Sequence, residues 1–163
     1  MKWNHLAAAA AIAAVSLLSG CASVQKADRN ASIQAKTFAP LPDKAVVYVY
    51  RDELLGGAIK MPVKVDDLVA GQTGPKSFLQ LALSPGHHTI ASLSEKDVAL
   101  PIDVEAGKSY YVWQEVKMGV MVARSALHLV SADVGQSGIR KCDLLQTEAP
   151  SLRMPPAANG TIM

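Results

Sequence analysis

The chain has 163 residues, half of them hydrophobic and 18% charged, and a formal net charge of +2 at neutral pH. That near-balance, with no basic run, removes the electrostatic case for a nucleic-acid partner. Two cysteines exclude a disulfide-stapled miniprotein, and the length suits one domain with ragged ends.

Lys2 and Trp3-Asn4-His5 make a short polar start, and Leu6 through Leu18 form an alanine-rich apolar run too short to span a bilayer comfortably as a helix. The run closes on Leu18-Ser19-Gly20-Cys21, which resembles the lipobox of bacterial lipoproteins. The resemblance implies cleavage after Gly20 and acylation of the Cys21 thiol. Competing readings are a secretory signal that ends by chance in cysteine, and an uncleaved anchor. Two or more acyl chains hold a protein stably where one does not, so an acylated Cys21 suffices as anchor. Ala22, rather than aspartate, follows it, which implies passage to the outer membrane with the domain on the periplasmic face.

Loss of residues 1–20, the expected signal peptide, leaves 143 residues with a formal charge of +1, because Lys2 is the leader's one charged side chain. Residues 21–43 are expected to be a lipidated linker, since apolar periodicity is poor and Pro40 and Pro42 favour extended backbone. Fully extended, about twenty residues reach roughly 60 Å. Ile33 and Phe38 are apolar enough to pack on the domain instead.

The folded domain is expected over residues 44–146, with about seven strands. Ala45 to Arg51 is apolar on both faces, as in a strand inside a packed sheet. Met61, Val63 and Val65 alternate with polar residues, and Pro62 predicts a sheet edge. Leu79, Leu81 and Leu83 share one side of the next strand, and Pro85-Gly86 predicts a hairpin into His88–Ser92. In Val98 to Val104 the even positions form an inward face with Pro101 outward, the pattern of an edge strand. Ser109–Lys117 and Val122–Val130 complete the series. Turn signals about every ten residues leave no room for crossover helices, so the expected fold class is all-β: an antiparallel β-sandwich of about seven strands with a short C-terminal helix. That helix is predicted after Ser137 from Ile139, Cys142 and Leu145 at three-residue spacing. Proline-rich residues 147–163 are expected to be a disordered tail.

Several of these segments, Lys44 to Arg51, Val63-Lys64-Val65-Asp66, Leu83 to Ile90, Val104 to Tyr111 and Gln114 to Gly119, resemble an uncharacterised family of bacterial lipoproteins, domain of unknown function 2846. Their strand-turn punctuation is similar to PEGA modules. The resemblance spans about residues 40–133 and implies an envelope β-sandwich, without an activity, ligand or catalytic residue to carry over. Asp67 stands where glycine is usual after the Val-x-Val-Asp turn.

Motifs of catalysis are missing: no Cys-x-x-Cys, His-Glu-x-x-His, phosphate loop or Gly-x-Ser-x-Gly. The chain is therefore read as not an enzyme, with no cofactor and no metal. Adjacent strand residues His87 and His88 point to opposite faces and cannot chelate together. Asp66-Asp67 lacks the further oxygen ligands that a hard cation requires. Cys142 beside Lys141 is either a low-pKa thiol or, on the apolar face of the predicted helix, a buried inert one.

Two features point to partners. Tyr111 and Trp113 share the strand face that ends in Glu115 and Lys117, offering an aromatic platform for protein or glycan unless a helix or the linker covers them. The connection Met118–Ala123 is apolar where hairpins are polar, so Val120 and Met121 belong either to a buried crossover or to a contact surface. The functional expectation is a non-enzymatic binding or scaffold protein, membrane-held through Cys21 and engaging an envelope protein or glycan. The alternatives are a lipoprotein subunit of an envelope-spanning secretion or transport machine and, in a different class, a cell-wall hydrolase.

Overall fold

The computed structural model describes residues 24–54, 59–117, 119 and 123–156. In chain order the described elements are α1 (Arg29–Ala35), β1 (Ala45–Arg51), β2 (Met61–Val65), β3 (Leu68–Thr73), β4 (Ser77–Leu83), β5 (Gly86–Ser92), β6 (Val98–Val104), β7 (Ser109–Lys117), β8 (Arg124–Val130), α2 (Ala132–Arg140), β9 (Asp143–Leu144) and a 3-10 turn at Pro150–Leu152. They form a five-stranded sheet, β8-β7-β1-β4-β9, and a four-stranded sheet, β3-β2-β5-β6.

The sheets share one apolar core, to which β1 and β4 bring Val47, Val49 and Leu81, and β2, β5 and β6 bring Val63, Ile90 and Val104. On its other face the five-stranded sheet carries Val46, Tyr48, Tyr50 and Tyr111, packed with Ala35 of α1 and Ile139 of α2. Central and covered on both sides, β1 is buried at every position, which accounts for its uninterrupted apolar run. A buried polar bridge crosses the core. Gln114 on β7 meets the Thr73 hydroxyl on β3 through its carbonyl oxygen, and its amide donates to Ser92 Oγ on β5 at 2.6 Å.

The fold is largely β with sandwich-like layering, but not wholly antiparallel. β1 pairs in parallel with β7, and β4 with β9. The first pairing needs no crossover helix, because the chain between β1 and β7 passes through the other sheet. Nine strands are described rather than seven. The two that periodicity misses are β9, only two residues long, and β3, whose in-out alternation is broken opposite a register shift at Val63/Lys64.

Other expectations are corrected by topology. Pro85-Gly86 forms no hairpin: β4 and β5 lie in different sheets, and these residues arch between them. Pro62 sits in a strand flanked on both sides. Its carbonyl accepts from Leu93 N–H at 2.9 Å, one residue past the end of β5, so its missing N–H falls where that ladder stops. The C-terminal helix starts at Ser131, not Ser137, and ends before Cys142. Gly135 and Gly138 let it lie directly on Tyr111 and Tyr50. β6 is an edge strand with Ile102 and Val104 inward and Pro101 exposed, as its alternation predicts.

The ends of the domain are built in rather than trailing. Gln146 N–H donates to Gln25 O at 2.9 Å and Ala27 N–H to Leu144 O at 2.8 Å, so residues 24–27 pair with the C-terminal segment. That segment crosses from the β4 edge to the β3 edge, where Glu148 N–H reaches Ala70 O at 2.9 Å. Val24, Leu145 and Leu152 plug the open side of the core. The expected disordered tail is therefore ordered over residues 147–156, because Leu152 has core to bury.

Candidate functional site

These two terminal segments enclose a groove of about 1050 Å³ on the helix-covered face of the five-stranded sheet. One wall is α1, capped by Asp28, whose Oδ1 accepts from Asn30 N–H at 2.7 Å. Such a cap stabilises a short helix by about 1 kcal/mol. The chain turns out of α1 with Phe38 in a left-handed conformation (φ 56°). The Phe38 ring drives that turn: it packs edge-on against Tyr48 and Tyr111 at 5.5 and 6.1 Å, beneath the Arg140 guanidinium at 5.1 Å. Pro40, Leu41 and Pro42 continue the wall.

The floor holds Gln80 of β4. Its amide donates to the Tyr48 hydroxyl at 3.1 Å, and that hydroxyl donates to Ala35 O at 3.4 Å, fixing floor to wall. Burial pushes the Tyr48 phenol up to about 12, so it stays a neutral donor across the physiological range. The second wall is Leu144–Thr147 with Arg153, Met154 and Pro155. Arg153 holds it by donating to Thr147 O at 2.9 Å and Glu148 O at 3.1 Å.

The described lining is largely apolar, proline-rich and without an aromatic ring, interrupted by the amides of Asn30, Gln34, Gln80 and Gln146 and by Asp43 and Arg153 at its margins. Amide side chains both donate and accept, as an extended peptide backbone requires. Among the described lining residues the hydroxyls of Thr37 and Thr147 donate to the backbone oxygens of Gln34 and Gln80, not to a base. Sequence reasoning missed this groove because its walls fall in the segments read as linker and tail. The available signal was the pair of proline clusters, Pro40/Pro42 and Pro155/Pro156, at opposite ends of one domain.

The other sequence-derived candidates do not converge on it. Tyr111 is buried under α2, stacked on Tyr48 at 5.2 Å, with its hydroxyl accepting from Gln136 at 3.0 Å. It is not part of an exposed platform, because α2 occupies that face. Trp113 is half-buried against His128, ring centroids 5.1 Å apart. Cys21, Val120 and Met121 lie outside the described residues. His87 and His88 point apart, His87 to Asp103 at 3.0 Å and His88 to Asp66 at 2.9 Å. Among the described residues no group of three histidine, cysteine or carboxylate side chains is placed to hold a metal ion. Cys142 is buried, and burial pushes its thiol up to about 12, the opposite of a reactive cysteine.

A second organised region lies at the end of the domain where β1 and β7 finish. Arg51 is fully buried and donates to Ile59 O at 2.8 Å. Glu53 accepts from Val116 N–H at 3.1 Å, and burial holds its carboxyl above the ordinary glutamate range. Together they fix the approach to the loop between β1 and β2.

A family model described as a protein of unknown function, DUF2846, matches residues 42–126. A protein of Haemophilus influenzae, described as an uncharacterized protein, is 35% identical over 140 residues, covering 85% of this chain and 83% of the relative. No solved structure matches.

Proposed function

The chain belongs to the DUF2846 family, and on that footing we propose that it is a lipid-anchored, non-enzymatic binding or scaffold protein on the periplasmic side of the outer membrane. The groove is its ligand site. The observation that carries this reading is that the groove's walls are the domain's two terminal segments, hydrogen-bonded to each other, the first beginning three residues after Cys21. Anchor and ligand site then lie close together along the chain, as suits a scaffold.

The lipobox-like Leu18-Ser19-Gly20-Cys21 supports the anchor. Buried Cys142, the paired histidines and the lack of a catalytic motif support a binding role over hydrolysis. With Tyr111 buried and no aromatic ring in the groove, the ligand that fits is an extended, apolar segment of an envelope protein rather than a glycan. A place in an envelope-spanning machine is compatible with such a partner.

The test has two arms. Cys21→Ser should release the protein from the membrane fraction or leave unprocessed precursor. A photo-crosslinking residue at Gln34, in the groove, should capture a discrete envelope protein, and adding Ala31→Trp beside it should abolish capture without lowering the melting temperature. Equal capture from Lys64, on the other sheet, or turnover of purified peptidoglycan by the protein, would reject the reading.

A further inference from the structure

Resting on the lipid anchor proposed above, we propose that the domain does not hang from the membrane on a flexible leash but sits with one end directly on a phospholipid bilayer. That end carries Leu54, Ile59, Lys60 and Lys76. Chain length limits where the anchor can reach. Val24 is already part of the fold: it packs into the core, and Gln25 and Ala27 are hydrogen-bonded to the C-terminal segment. Only Ala22 and Ser23 separate it from Cys21, three chain steps that span at most about 10–11 Å. The seven residues of β4 extend over about 23 Å, so an acylated Cys21 can reach only the end nearest Val24.

Which end that is follows from the ladders. A Cβ at Gly74 would touch Val24 at 3.4 Å, and Gly74 joins the end of β3 to the start of β4. Thr73 pairs with Met61, and Ser77 with Arg51, so β1 finishes and β2 begins beside it. Lys60 and Val24 line one small cavity. Leu54 and Ile59, on either side of the connection from β1 to β2, therefore stand at the anchor's end.

Their exposure is built. Leu54 is 72% exposed and Ile59 37%, while Arg51 grips Ile59 O from the interior and Glu53 grips Val116 N–H, each spending a charged side chain to hold the loop's base. Lys60 forms no ion pair with a described residue, and Lys76 reaches a backbone oxygen, Asp52 O, rather than a carboxylate. Outward apolar side chains beside uncompensated lysines match the interface of a bilayer with anionic headgroups. The opposite end differs: its turn at Glu105–Lys108 is exposed and closed by an ion pair at 2.7 Å.

Amide hydrogen exchange read by mass spectrometry tests this. The processed protein in vesicles of phosphatidylethanolamine and phosphatidylglycerol is compared with the Cys21→Ser protein in solution. Peptides covering Leu54 and Ile59 should exchange about tenfold more slowly on vesicles, and those covering Glu105 to Lys108 at unchanged rates. A Leu54→Asp, Ile59→Asp double variant should keep its acyl mass and lose the slowing. An acylated protein with no slowing, with slowing at Glu105 to Lys108 instead, or with equal slowing in the concentrated soluble protein through self-association, overturns the seating while leaving the anchor intact. Absence of the acyl mass overturns the anchor and the seating with it.

Discussion

Gly135 of α2 lies so close to Tyr111 of β7 that a Cβ at position 135 would stand 2.3 Å from the tyrosine Cβ. One turn on, a Cβ at Gly138 would meet the Tyr50 ring at 2.3 Å. The helix covers the sheet only because two side chains are missing from its underside. Gly135→Ala should therefore destabilise the domain despite alanine's better helix propensity. Overpacking of this kind costs about 1–3 kcal/mol, roughly a 3–10 °C fall in melting temperature. Pairing with Tyr111→Gly, which removes the opposing Cβ, should relieve the clash, so a double variant less stable than the sum of the singles would reject the contact.

The same contact shows what the sequence could and could not disclose. Strand periodicity exposes inward faces, so Leu79, Leu81 and Leu83, and the edge character of Val98 to Val104, were legible. Burial of Tyr111 was legible as cover by a helix or the linker, but not which of them, because the packing of the helix twenty residues downstream depends on glycines rather than on an apolar stripe. The hairpin expected at Pro85-Gly86 failed for a related reason: turn residues specify a change of direction, and whether the next strand joins the same sheet is decided by long-range pairing. The groove was hidden because poor periodicity reads as linker, while Val24, Phe38 and Leu152 each need a core that only the assembled sheets provide.

The Thr73–Gln114–Ser92 bridge gives a second expectation. Gln114→Ala takes the amide donor from buried Ser92 Oγ, leaves the Thr73 hydroxyl with Met61 O at 3.2 Å alone, and opens a cavity, costing about 2–4 kcal/mol. Gln114→Leu combined with Thr73→Val and Ser92→Ala removes donors and acceptors together and should recover most of that loss in urea titrations. If the triple variant is no more stable than Gln114→Ala, the polar bridge is not what the core lacks.

Cys142 supplies a kinetic readout. Its thiol accepts no neighbouring cation strongly enough to offset burial and the nearby Asp52, and it sits up at about 12. At pH 8 the thiolate is then a fraction on the order of one in ten thousand, and the sulfur is shielded as well. Labelling by a disulfide reagent should proceed at the rate of unfolding and accelerate with added urea. Full labelling within seconds in native buffer would contradict the buried position.

The ion pair of His88 and Asp66 sets the pH dependence. Burial by itself would lower the His88 pKa, but hydrogen bonds to Asp66 Oδ2 at 2.9 Å and to Ser84 O at 2.8 Å outweigh it, and the net value lies above the ordinary 6.5. Asp66 meets the reverse balance: burial raises it, and the bonds from His88 and from Thr89 N–H at 2.9 Å prevail, leaving it below the usual aspartate value. The histidine's contribution is complete below the unfolded pKa of about 6.5 and is lost as pH rises through the higher folded value. The aspartate's contribution is present above about 3.9 and is lost as pH falls through its lower folded value. The pair thus stabilises most between about pH 4 and 6.5, and the native melting temperature should decline from pH 6.5 towards 8.5. His88→Gln keeps a hydrogen-bonding side chain and cannot titrate, so it should remove that decline while lowering stability at pH 6. Parallel profiles for the two proteins above pH 6.5 would show that His88 is not protonated in the folded state.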